Sequence, residues 1–340
     1  MLKTAEAVSI GHPDKIADYI SSYILDRLIE QDPYVRYATE VMIKDNTVIL
    51  GGEISGGVDL SNIDKYVRDA VADIGYDARY AAIWGDNAPN ADAITVINKI
   101  GVQSNEIGCG VESNGWGDQG VFVGYACRGE NNINRELWLA RKLNGALYDL
   151  ARESDNLGID IKTQVTIDNT GAIDTVIVAI PMLSPMDLTA EIVVTLGAAP
   201  RNIIVNGTGV YRKHGSIADC GVTGRKLACD FYSTAAPIGG GSPWTKDGTK
   251  ADLTLNLYAR HLALENLGDN DECFVYLSSC IGRADLPSAT IKTVKNGVVT
   301  QSELTCNIRP HNLIELFGLR RPIFADLCRR GLQSLVVSGV

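Results

Sequence analysis

Residues 13–54 read PDKIADYISSYILDRLIEQDPYVRYATEVMIKDNTVILGGEI, and this stretch decides the fold class. Ile16, Ile20, Ile24 and Leu28 recur at i, i+4, which lays one apolar face along a helix, predicted over 16–31. Pro13 sits just inside its start, where a missing N–H costs nothing. Strand-type runs follow at 34–44 and 48–54, and the turn Asp45-Asn46-Thr47 between them makes a hairpin. A second helix is predicted over 59–74, with Leu60, Ile63, Val67, Ala70, Val71 and Ile74 inward and Gly75 as its C-cap. An apolar run from Ala93 to Ile100 closes the unit.

The same order returns twice. A strand at 120–127 precedes a helix over 134–153, with Leu139, Leu143, Ala146, Leu147 and Leu150 on one face. A hairpin (161–167 and 174–180), a helix near 185–197 and a strand at 202–206 follow. The third pass reads as strand 224–231, helix 250–266, strands 272–280 and 288–295, and a helix near 303–317. Element order, not sequence, recurs roughly every 100 residues. The prediction is an α+β protein with helices over mixed sheets, in segments 1–101, 113–213 and 214–340.

Composition narrows the classes. A chain of 340 residues with 45% hydrophobic content buries an ample core and exceeds one ordinary domain. The net charge of −10 argues against a nucleic-acid coat or an anionic-membrane surface. Asp14 and Lys15 interrupt any N-terminal apolar run, and no window is long enough for a membrane helix, so a cytoplasmic protein is expected. The cysteines form no C-x-x-C pair and read as small buried hydrophobes in a reducing compartment. His214, His261 and His311 fit no metal-ligand spacing and read as structural or solvated.

Three constellations suit a polyphosphate. Gly11-His12-Pro13-Asp14-Lys15 precedes the first helix, whose free N–H groups favour anions, and Asp14 is a hard oxygen ligand of the kind Mg²⁺ takes. The same residues also suit a plain helix cap with solvated charges. Asp219-Cys220-Gly221-Val222-Thr223-Gly224-Arg225-Lys226 joins two glycines to adjacent cations. It is no Walker A loop, because the chain contains no Gly-Lys dipeptide. Gly239-Gly240-Gly241 is followed by Lys246, Lys250 and Asp252, a set that also reads as a glycine turn before a solvated helix start. Glu53 ends an apolar strand and Asp118 lies in a glycine turn; either carboxylate could bind an amino group.

In this order, G-H-P-D-K, G-G-E-I at 51–54, G-D-Q-G at 117–120, D-C-G-V-T-G-R-K and the triple glycine resemble the S-adenosylmethionine synthetase family, over Thr4 to about Phe324. The resemblance implies three pseudo-threefold-related β-α-β-β-α-β units. It implies a homodimer, in some members paired into a tetramer, with active sites between facing subunits. By position, Asp14 and Asp252 correspond to ligands of two Mg²⁺ ions per site and Glu40 to a K⁺ ligand. His12, Lys162, Arg225, Lys226 and Lys246 correspond to the catalytic triphosphate cradle. Asp160, Val210, Tyr211, Asp219 and Ser242 fall at ATP positions, and Glu53, Gln103, Asp118, Asp219, Lys250 and Ile281 at methionine positions.

The implied reaction joins ATP and L-methionine and then hydrolyses the displaced triphosphate. A Mg²⁺-dependent polyphosphate hydrolase would need the cradle but not Glu53, Gln103, Asp118 or Lys250. A non-catalytic regulatory subunit would tolerate loss of cradle residues, and none is lost. Departures from the family pattern are a short segment over 105–117, expected to act as a small lid, Val210 where arginine is common, and Ile238 in place of histidine.

Overall fold

The computed structural model describes residues 1–55, 57–102, 115–239, 241–306 and 308–335. The first segment holds β1 (Lys3–Val8), α1 (Pro13–Ile29), β2 (Arg36–Lys44), β3 (Thr47–Ser55), α2 (Ile63–Ile74), α3 (Ala78–Trp84) and β4 (Thr95–Val102). The second holds β5 (Gly120–Cys127), α4 (Arg135–Glu153), β6 (Lys162–Ile167), β7 (Ile173–Ala179), α5 (Thr189–Leu196) and β8 (Asn202–Val205). The third holds β9 (Gly221–Val222), α6 (Leu227–Asp230), α7 (Ala251–Glu265), β10 (Glu272–Ser279), β11 (Ser288–Lys295), β12 (Val298–Glu303), α8 (Pro310–Leu316) and α9 (Phe324–Arg330).

These strands make three four-stranded sheets, ordered β9-β2-β3-β4, β1-β6-β7-β8 and β5-β10-β11-β12. Each is a hairpin flanked by a final strand on one side and a borrowed strand on the other. β1 pairs antiparallel with β6, β5 with β10 and β9 with β2. The first strand of each segment therefore completes the sheet of another, in a closed cycle. α1, α4 and α7 hold equivalent places, each packed on the sheet whose hairpin follows it. One hydrophobic core runs from Ala7 to Leu332 through all three units.

The mixed α+β class and the threefold repetition are as expected, and the third unit departs in two places. The strand expected over 224–231 is instead the two-residue β9 and the short α6. Carboxylates of α1 take the amides of Val222 and Gly224, so the chain turns away before a longer ladder can form. The helix expected near 303–317 begins only at Pro310. Before it, Asn296 (φ 50°) and Gly297 (φ 78°) make a tight hairpin into β12, so this unit ends antiparallel and lacks a crossover helix. The other units keep that helix, and β4 and β8 run parallel to β3 and β7.

Gly124 shows how closely a borrowed strand meets its helix, because a Cβ there would overlap the Ala259 carbonyl of α7. Gly124→Ala should lower the melting temperature, with a loss of at least about 2 kcal/mol. Gly145, inside α4, has open space around its Cβ position. Gly145→Ala should stabilise by about 0.5–1 kcal/mol, since alanine restricts the unfolded chain. Thermal melts that shift alike for both variants would contradict this packing.

Candidate active site

α1 begins one side of the site. His12 caps it, accepting the Asp14 N–H at Nδ1 (3.1 Å). Burial, and then the ammonium groups of Lys226 and Lys162, lower the His12 pKa to about 3, so the ring is neutral. With Nδ1 accepting, the proton resides on Nε2. Asp14, 2% exposed, accepts the Val222 N–H (2.9 Å) and bonds the Lys226 ammonium, with Arg225 Nε at 3.9 Å. Burial opposes its ionisation, but the Lys226 ammonium and Val222 N–H hold it below the usual carboxylate range.

Asp160, two residues before Lys162, accepts the Gly215 N–H (2.8 Å). Burial raises its pKa to about 6, opposed by that N–H and by Lys162. Asp219 acts on the same carboxyl, and burial, with Asp160 adding to it, raises the Tyr211 pKa. His12, Asp14, Asp160, Lys162, Tyr211, Asp219, Arg225 and Lys226 therefore form one connected set, with Val210 beside it and 41% exposed.

A second set lies across β9. Glu40 accepts from the Thr223 and Thr245 hydroxyls and from Lys246 Nζ (3.3 Å). Asp252, in the first turn of α7, accepts the Gly241 N–H (3.0 Å). Burial raises its pKa; Gly241 and Lys246 oppose this, and Asp118 and Glu40 add to it. Ser242 lies against Gly224. Lys250 caps α7, 9% exposed, and makes no ion pair among the described residues. Glu53 stands opposite Ala38 on β3, Asp118 accepts the Gln119 N–H, and Ile281 bridges to Trp116. Among the described residues, none of Glu53, Asp118 and Lys250 bonds directly to the first set. Gln103 and the expected lid over 105–117, apart from its last three residues, lie outside the described residues.

Several structural partners escaped the sequence reading. Asp18 accepts the Gly224 N–H (2.8 Å) and pairs with Lys15 (3.1 Å). Lys15 also bonds Asp230 (2.9 Å) and lies over the Trp244 ring, and the Trp244 indole donates to Asp230 (2.8 Å). Asp18 was detectable as an acid one helical turn after Asp14 on an apolar helix. Asp230 lies 215 positions from Lys15 and leaves no local signal. His214 is structural, packed against Tyr76, Tyr80 and Trp84 and bonded to the Tyr80 hydroxyl (2.6 Å).

Comparison with known proteins agrees along nearly the whole chain. Family models of the S-adenosylmethionine synthetase N-terminal, central and C-terminal domains match residues 1–105, 113–198 and 200–334. A solved structure described as an unusual S-adenosylmethionine synthetase from Campylobacter jejuni is 31% identical, with a TM-score of 0.85. The match covers 97% of this chain and 94% of that one.

Asp160 makes the site pH-sensitive in a definite direction. Its native pKa of about 6 lies above the ordinary 3.8, so the protonated form favours the fold. Its contribution is full below 3.8 and is lost as pH rises through about 6. Asp160→Asn should flatten the fall in stability across that window in urea melts; an unchanged slope would show that the carboxyl is not buried as described.

Proposed function

Because the chain belongs to the S-adenosylmethionine synthetase family, we propose that it makes S-adenosylmethionine from ATP and L-methionine and then hydrolyses the bound triphosphate. The observation that carries this reading is the neutral, buried His12 beside Lys162 and Lys226. Its Nε2–H can donate to an oxygen that gains negative charge without itself losing a proton.

The methionine sulfur attacks C5′; the C–S bond forms as the C5′–O5′ bond breaks, and triphosphate leaves with the electron pair. A thioether needs no general base, so the residues position the reactants and stabilise the departing charge. His12 donates near the breaking bond, and Lys162, Arg225, Lys226 and Lys246 pair with phosphate oxygens. Asp160, Val210, Tyr211, Asp219 and Ser242 hold the nucleotide. Glu53, Gln103, Asp118, Asp219, Lys250 and Ile281 hold methionine. In the second step Arg225 and Lys226 offset the charge on the triphosphate as water cleaves it.

Asp14 and Asp252 fit Mg²⁺, which commonly takes one or two carboxylates and completes its shell with phosphates and water. Among the described residues no three acidic, thiol or imidazole groups gather into a closed cage, which is compatible with ions shared with a substrate. Glu40 with the Thr223 and Thr245 hydroxyls offers an oxygen set that suits K⁺. When bound, these ions supply positive charge to the phosphate oxygens.

A homodimer accompanies this reading. Met42, Ile49 and Ile97 align across the outer face of the β9-β2-β3-β4 sheet, with Met42 and Ile97 each 40% exposed. A second copy covering that row could bring one chain's His12 set to its partner's Lys250 set.

Incubation with ATP, methionine, Mg²⁺ and K⁺ should yield the sulfonium product by mass spectrometry; its absence would refute the reading. Asp14→Asn should reduce synthesis by about a hundredfold or more with the fold intact. Arg225→Leu should impair hydrolysis of added triphosphate at least as strongly as synthesis. Unchanged triphosphatase activity would remove Arg225 from the cradle.

A further inference from the structure

We propose that the cleft between α4, α7 and residues 331–335 is a second anion site, which takes a small phosphate-bearing molecule. The cleft has a volume of about 520 Å³, within the range of small-ligand sites. Arg141, Lys142, Arg260 and Arg330 line it with Trp138, and no carboxylate does so among the described residues. None of these residues belongs to the site described above.

The four cations differ in how they are compensated. Arg330 pairs with Asp326. Among the described residues the hydrogen-bond partners of Arg141 are neutral: Gln333 Oε1 (2.8 Å) and the carbonyls of Cys229 (2.7 Å) and Phe231 (3.1 Å). Arg260, 3% exposed, donates to the carbonyls of Tyr125, Asn131 and Asn132. Its Nε is buried and has no hydrogen-bond partner among the described residues. Lys142 lies over the Trp138 ring (5.1 Å) and makes no ion pair among the described residues.

Three positive charges thus converge on one cavity without a paired carboxylate. Carbonyl dipoles compensate them in part, as does Asp230 at Arg141, a carboxylate already bonded to Lys15 and Trp244, and burial lowers the pKa of both Arg141 and Arg260. An anion in the cleft would remove that imbalance. Guanidinium forks beside an ammonium favour phosphate oxygens. Gln333 already bridges Arg141 to the carbonyls of Asp230 and Phe231, so the cleft wall is set before any ligand arrives.

Hydrogen exchange read by mass spectrometry separates this cleft from the active site. Inorganic pyrophosphate and AMP are titrated separately, at physiological ionic strength, into the wild type and into Lys142→Glu, whose exposed side chain can change without unfolding the chain. At least one ligand should protect peptides covering 129–142 and 330–335, and the ligand that does so identifies the source of the phosphate. In Lys142→Glu the concentration needed should rise about tenfold, the equivalent of about 1.4 kcal/mol. Protection over 219–226 should be unchanged by the variant. The proposal is overturned if neither ligand protects the cleft peptides at millimolar concentration, or if the variant responds like wild type. Loss of response at 219–226 alone would count against the proposed function and leave the second site standing.

Discussion

Two carboxylates of α1, Asp14 and Asp18, accept the backbone N–H groups of Val222 and Gly224, and this clamp orders the rest of the site. The acids stand one helical turn apart, and the amides two residues apart, with Val222 ending β9 and Gly224 in the turn that follows it. Between them, the Thr223 hydroxyl reaches Glu40 and its N–H reaches the Val41 carbonyl (3.0 Å). Arg225 and Lys226 leave the clamp immediately and return toward Asp14. Gly221 is required because a Cβ there would overlap the Pro13 carbonyl. Arg225 and Lys226 are thus placed by a contact between segments more than 200 positions apart.

The clamp is one instance of a wider constraint. Each sheet is finished by a strand from another segment, so each segment's edge is closed by a neighbour. Much of the pairing is between distant residues, and Lys3 meets Ile167 across the β1–β6 ladder. Long-range pairing of this kind delays folding, since loop closure precedes the reward. It also brings the start of α1, the start of β6 and the 211–226 segment together, where His12, Asp160 and Lys226 meet.

Beneath the site lies a buried charged layer. Lys15, 3% exposed, stands between Asp18 and Asp230, with the Trp244 indole as a further donor to Asp230. Burial raises the Asp18 pKa to about 7, opposed by Lys15. Such groups contribute little net stability against an apolar replacement, but removing one partner strands the others in a dry interior. Their consequence is positional: α1, α6 and the 242–245 turn are held in one arrangement.

Local pattern was enough for much of this protein. The i, i+4 apolar face of α1, the Asp45-Asn46 turn and the strand–helix–hairpin order were legible because they depend on neighbours a few residues apart. Gly11–Lys15 and Asp219–Lys226 were legible as cation-rich, glycine-bearing segments for the same reason, and the resemblance they carry agrees with the matched family models. The sheet to which each first strand belongs was not legible, because β1, β5 and β9 pair across segments and no local pattern marks the exchange. The same holds for 224–231: in isolation it suits a strand, but in the fold the Asp18 carboxylate takes the Gly224 N–H, and the amides of Asp230 and Phe231 turn onto the carbonyls of Lys226 and Leu227 in α6. The neutrality of His12 and the raised pKa of Asp160 were likewise decided in three dimensions. Burial sets both, with Lys226 and Lys162 reinforcing it at His12 and the Gly215 N–H and Lys162 opposing it at Asp160, and none of these influences exists until the chain has folded.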